Sequence, residues 1–148
     1  IEEHTIDGLL FKQVITATTI SGGSANNVIP SHLNLNINFR FLPTQNESEA
    51  ADFITDTFSK YGDVDIKNSS NGAMPNLQSQ YVKNFIKITG AEVTPKQAWT
   101  DIARFSQENI PAVNFGPGNP LLAHSPDEFV NTSQIVESYE SIVKYFKG

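Results

Sequence analysis

His32-Leu-Asn-Leu-Asn-Ile-Asn-Phe-Arg-Phe41 alternates polar and apolar side chains without a break. Period-two alternation of this length specifies an antiparallel strand with one face against a core. Leu33, Leu35, Ile37, Phe39 and Phe41 fall on one side, and His32, Asn34, Asn36, Asn38 and Arg40 on the other. The polar side carries three asparagines but no acid and no lysine. That is unusual for a purely solvated surface and suits a partner subunit or a ligand. Arg40, at the far end, has two readings: a bidentate anchor for a carboxylate, or an ordinary surface arginine.

Upstream, residues 10–20 are rich in β-branched side chains and read as a strand, entered through a turn at Gly8. His4 lies in a charged terminal stretch and reads as solvated. Between the two strands, Ser21-Gly-Gly-Ser-Ala-Asn-Asn-Val-Ile-Pro30 is a loop whose glycines and asparagines tolerate positive φ. Asn26 and Asn27 offer donor and acceptor together to a ligand, although a plain hairpin loop explains them equally. Downstream, Ala50, Phe53, Ile54, Thr57, Phe58 and Tyr61 recur at helical spacing between Pro43 and Gly62. Val64 and Ile66 read as a short last strand. The order strand–strand–helix–strand makes an open-faced α+β unit. A complete ferredoxin-like module needs one more strand–helix pair, which would lie upstream of Ile1.

Residues 68–75 form a linker, followed by an amphipathic helix over 77–89 that Gly90 stops. In Ala98-Trp-Thr-Asp-Ile-Ala-Arg-Phe105, Thr100 reads as a helix cap and Arg104 follows one turn later. The bland reading is a capped helix with Trp99 and Phe105 in the core; the sharper one makes Arg104 a carboxylate anchor. Residues 112–115 read as a buried strand, halted by Gly116-Pro-Gly-Asn-Pro120. His124 follows in a loop of prolines and acids, the setting in which α/β proteins often place chemistry. Imidazole is a common metal ligand, but a zinc site needs three or four donors, so partners for His124 must come from elsewhere. A final helix, capped by Thr132 or Ser133, carries Ile135, Val136, Tyr139, Ile142, Val143 and Phe146 as its apolar stripe.

Composition narrows the function classes. With 39% apolar and 18% charged residues, the 148-residue chain is globular in composition, as one domain or as two small pieces of a larger protein. Net charge is −6 and the basic residues are scattered, which argues against a nucleic-acid surface. No apolar run approaches the roughly 20 residues of a membrane span. The absence of cysteine removes thiol chemistry and fits a reducing cytoplasm. The sequence opens at Ile1 and its one methionine is Met74, so it reads as processed or cut from something longer.

Two motif groups carry a family resemblance. Gly22-Gly-Ser-Ala-Asn-Asn-Val-Ile-Pro30 with Asn38-Phe-Arg-Phe41 resembles the dimerisation (lid) domain of the di-zinc aminoacylase and deacylase metallopeptidases. Trp99-Thr-Asp-Ile-Ala-Arg-Phe105, Val113-Asn-Phe-Gly-Pro-Gly118, His124 and Asp127-Glu128 resemble the end of that family's catalytic domain. Within the family the combination most resembles members acting on succinyl-amino acids. The resemblance implies an incomplete ferredoxin-like lid over residues 1–70 and a C-terminal α/β segment of the catalytic domain over 71–148. It makes His124 the last ligand of a two-zinc site, with cobalt or manganese as alternatives. Asn26, Asn27 and Arg40 would reach substrate from the lid, partly across a homodimer, and Thr100 and Arg104 would bind substrate carboxylates. The family's remaining metal ligands, its general-base glutamate and its lid histidine have no counterpart here, so the chain alone is expected to be inactive. The other readings are a sibling deacylase or dipeptidase, and a non-catalytic dimerisation or ligand-binding module.

Overall fold

A computed structural model describes residues 1–147. They form two compact units. The first comprises Ile1–Pro75 with Pro95–Ala103, and the second comprises Asn76–Thr94 with the residues from Arg104 onward. The architecture is α+β, with small antiparallel sheets and helices.

The first unit starts with a tight hairpin. Strands β1 (Glu3–Ile6) and β2 (Leu9–Lys12) pair antiparallel, and Ile6 faces Leu9 across a two-residue turn. Asp7 and Gly8 fill that turn with φ of 50° and 80°. An Asp-Gly pair suits it because both central positions of such a turn need positive φ. A second hairpin follows, β3 (Val14–Gly22) with β4 (Leu33–Arg40), in a register from Val14 opposite Arg40 to Gly22 opposite Leu33. The alternation of residues 32–41 therefore marks a real strand.

Residues 10–20 are not one strand. The chain leaves one sheet at Lys12 and enters the other at Val14. Gln13 between them is 3% exposed and works as a junction. Its backbone N–H donates to Glu2 O, its Oε1 accepts from Glu2 N and its Nε2 donates to Gln45 Oε1, each at 2.9 Å. Gln45 Oε1 also accepts from Leu42 N at 3.1 Å, and Leu42, 1% exposed, is the most buried apolar side chain among the described residues. A buried amide with such partners fixes a backbone corner that apolar periodicity does not reveal.

Strand β3 bulges at Thr18, between the pairs Ala17–Ile37 and Thr19–Asn36. The extra residue shifts the phase of the strand, so Ile20 pairs with Leu35 as Ala17 does with Ile37. Asn36 Nδ2 donates to Thr18 Oγ1 at 2.6 Å, and Thr18 Oγ1 donates to Asn36 O at 3.3 Å. One of the three strand asparagines thus secures the bulge.

Helix α1 (Glu47–Phe58) starts in a reciprocal cap, Asn46 Oδ1 accepting from Glu49 N while Glu49 Oε2 accepts from Asn46 N. It lays Phe53 on Phe39, ring centres 5.2 Å apart. Beyond the Arg40 end of the hairpin this cover is lost: Ile20 and Leu33 are 67% and 62% exposed. Residues 64–66 form no strand. Only two apolar residues alternate there, between aspartates that disfavour strand, and Asp65 pairs with Lys67 instead.

The second unit is built on α2 (Gln80–Thr89), closed by Gly90 at φ 66°, and α4 (Thr132–Lys147), with α3 (Ile102–Gln107) reaching it from Arg104 onward. Phe85 meets Tyr145 and Phe115 edge-on, at 5.1 and 5.0 Å. The apolar stripe expected on α4 is mostly exposed, Phe146 at 80% and Tyr139 at 67%. Tyr145, outside that stripe, takes the contact because the Phe85–Phe115 pair offers it an aromatic seat. Residues 112–115 join no ladder. A buried parallel strand is held by neighbours on both edges, and this unit supplies no strand among its described residues.

Replacing Gln13 with leucine takes the acceptor from Glu2 N and one of the two donors from Gln45 Oε1. We expect a loss of about 2–4 kcal/mol in stability, read as a lower urea midpoint at an unchanged slope.

Candidate functional site

The residues singled out in the sequence are divided between the units. Asn26, Asn27, Arg40 and Thr100 belong to the first, Arg104 and His124 to the second.

Asn26 and Asn27 lie exposed in the loop joining β3 to β4. Its entry is sterically fixed: a Cβ on Gly22 would stand 2.6 Å from His32 O, and Gly23 adopts φ 86°. A turn with Val28 N donating to Ala25 O at 3.4 Å carries the asparagine pair. Arg40 is exposed at the opposite end of β4, across from Val14. The seven steps from Leu33 to Arg40 span about 23 Å at the usual rise per strand residue. Within one chain the hairpin holds the loop amides and the guanidinium apart.

Thr100 is half-buried on the segment Pro95–Ala103, and its carbonyl accepts from Ala103 N at 3.0 Å. Helix α3 begins at Ile102, later than a Thr100 cap implies. Trp99 is 49% exposed and Phe105 48%, so neither is the core residue of the bland reading. Gln97 fastens this segment to β2: Lys12 N donates to Gln97 Oε1 at 3.3 Å, and Gln97 Nε2 donates to Leu10 O at 3.0 Å. This strand-like pairing by a side chain across 85 residues has no local sequence signal, and the sequence reading missed it.

Arg104 is exposed on α3. His124 is exposed in a loop that its own side chains organise. Asn119 Oδ1 accepts from Leu121 N at 2.9 Å and opens a 3₁₀ turn over Pro120–Leu122. Ser125 N donates to Leu122 O at 3.0 Å, and Glu128 N to Ser125 O at 3.2 Å. His124 stands at φ 66°, in the left-handed region that few non-glycine residues adopt. Glu128 Oε2 secures it by accepting from His124 N at 2.9 Å. The spacing of four between His124 and Glu128 was visible in the sequence, but its use as a backbone clamp was not. Asp7 and Asn109 adopt positive φ as well, at 50° and 57°.

The donor set bears on metal binding. No group of three or more His, Cys, Asp or Glu side chains able to hold a metal occurs among the described residues. One exposed imidazole does not fit a zinc site by itself.

Comparison with known proteins meets this geometry at the hairpins and α1. Residues 7–65 match the peptidase dimerisation domain. Nearly the whole chain is also similar to proteins named as succinyl-diaminopimelate desuccinylases. It is 37% identical over 145 residues to DapE of Mycobacterium tuberculosis, covering 97% of this chain and 41% of that protein. With the Corynebacterium glutamicum protein the identity is 36% over 148 residues, covering 97% and 40%. A Staphylococcus aureus protein is 25% identical over 146 residues, covering 86% and 36%. The chain thus spans about two fifths of the length of the first two relatives. The resemblance read from the two motif groups stands, and the α+β hairpin unit is consistent with a lid domain.

Glu128→Ala should raise the hydrogen-exchange rate of the His124 amide several-fold, because its charged acceptor is gone. His124→Gly should fold within about 1 kcal/mol of the parent, since glycine adopts positive φ freely. His124→Val should be clearly less stable than either, by thermal denaturation.

Proposed function

We propose that this chain is the C-terminal part of a metal-dependent amidohydrolase that converts N-succinyl-LL-2,6-diaminopimelate to LL-diaminopimelate and succinate. The observation carrying this is the 37% identity along 97% of the chain to a protein named as that desuccinylase. In this reading residues 1–70 belong to the lid and residues 71–148 close the catalytic domain. In the same reading the enzyme works in the cytoplasm, in keeping with the cysteine-free sequence. No helix among the described residues is long and apolar enough to cross a membrane.

The proposed roles follow from side-chain chemistry. The substrate carries carboxylates at both ends, and recognising them calls for guanidinium forks and neutral amide donors. Arg104 and Thr100 take a carboxylate from the catalytic side. Arg40, Asn26 and Asn27 serve from the lid. The strand-length separation of Arg40 from the loop amides favours their serving two different sites of a homodimer, formed through the lid. His124 contributes one imidazole to a zinc centre, alternatively cobalt or manganese; no group of three or more His, Cys, Asp or Glu able to hold a metal occurs among the described residues.

The missing donor set also favours a second reading, a non-catalytic dimerisation or ligand-binding module. Hydrolysis assays separate the two, using N-succinyl-diaminopimelate and, for acyl preference, N-acetylornithine. The 148-residue chain alone should turn over neither, whereas the longer protein that contains it should hydrolyse the succinyl substrate preferentially. No turnover by the longer protein would favour the module, and preference for the acetyl substrate a sibling deacylase. In the longer protein, Arg104→Ala should raise KM roughly 10- to 100-fold with a smaller change in kcat, the size of one charge-assisted hydrogen bond.

A further inference from the structure

Between α1 and α2 the chain runs without helix or strand, and there it carries Asn71-Gly72, the one Asn-Gly step in the sequence. Asn71 is tied reciprocally to the first residue of α1. Glu47 N donates to Asn71 Oδ1 at 3.0 Å, and Asn71 N donates to Glu47 Oε1 at 3.1 Å. Gly72 sits against Pro43, where an added Cβ would meet Pro43 Cα at 3.3 Å. Both residues are half-exposed, so water reaches them.

Asparagine followed by glycine is prone to an intramolecular reaction, because a residue without Cβ lets its own nitrogen swing toward the preceding side chain. The Gly72 nitrogen loses its proton and bonds to Asn71 Cγ, forming a five-membered succinimide. The Cγ–Nδ2 bond breaks, and the amide group leaves as ammonia with that proton. Water then opens the ring at either carbonyl and leaves aspartate or isoaspartate. No oxidant, enzyme or cofactor is needed.

We propose that Asn71–Gly72 is a site of spontaneous modification, gated by the Glu47–Asn71 clasp. With the clasp closed, the side-chain amide is held toward Glu47 N and is not free to turn its Cγ to the Gly72 nitrogen. Opening the clasp permits attack. The isoaspartyl product then prevents reclosure, because a methylene inserted in the main chain puts the two hydrogen bonds out of register. The aspartyl product keeps an acceptor for Glu47 N but brings a second carboxylate beside that of Glu47. The reaction is therefore a one-way release of the linker from the helix it braces.

The test is incubation of the purified chain at mildly alkaline pH and physiological temperature, followed by peptide mapping and enzymatic isoaspartate detection. Glu47→Pro serves as the open-clasp variant; it removes both the N–H from which Asn71 Oδ1 accepts and the carboxylate to which Asn71 N donates, and proline is well tolerated at the first position of a helix, so the Asn46–Glu49 cap of α1 stays in place. The expected result is replacement of amide by acid at Asn71 before any other asparagine, mostly as isoaspartate, and several-fold faster in Glu47→Pro. Circular dichroism should show α1 still folded in that variant. Earlier conversion at another asparagine overturns the site, and equal rates in the two proteins overturn the gate.

Discussion

A buried primary amide holds the first unit together. Gln13 is the single residue between two sheets, and its three hydrogen bonds reach the N-terminal strand and the turn that leads into α1. Each partner lies far away in sequence, so the bonds form only when the hairpins and the α1 turn are assembled. An apolar residue of similar size would fill the space and keep only the backbone bond to Glu2 O. The amide makes the corner unique, because a half-satisfied buried network is less stable than either a complete one or none. The β3–β4 hairpin takes its direction from this corner, and the candidate lid residues ride on that hairpin.

That direction has a functional side. A hairpin is a stiff spacer, and here it puts two kinds of recognition chemistry at its two ends. Neutral amides occupy the loop, and a guanidinium sits near the Gln13 corner. One small substrate does not bridge that length, so under the proposed function a single copy would present two half-sites. Every residue of the loop 23–32 is exposed.

Much of this was legible from residue order. Strand β4, helix α1 with its glycine- and proline-marked limits, α2 with Gly90, and α4 all follow from periodicity and local capping chemistry. The motif groups around Asn26, Asn27, Arg40, Arg104 and His124 were legible because their residue types and spacing are distinctive. What the sequence hid was long-range satisfaction of polar groups. Gln13 looks like one more polar residue in a β-branched run, and Gln97 like a surface glutamine. Residues 112–115 and the stripe of α4 were misjudged for a different reason: periodicity states what an element is able to bury, and the neighbours decide what it does bury. The left-handed φ of His124 is likewise set by the clamp from Glu128 and not by a local pattern.

The bulge at Thr18 gives the hairpin a phase memory. Odd-numbered Ile15 and Ala17 of β3 face Phe39 and Ile37, and even-numbered Ile20 faces Leu35, while these partners on β4 keep one parity throughout. A lineage that lost Thr18 alone would straighten the strand and leave Ile20 opposite Leu35 and Gly22 opposite Leu33, since Thr18 has no ladder partner of its own. Loss of a paired residue elsewhere in either strand would instead slip the register and turn the residues beyond it onto the other face.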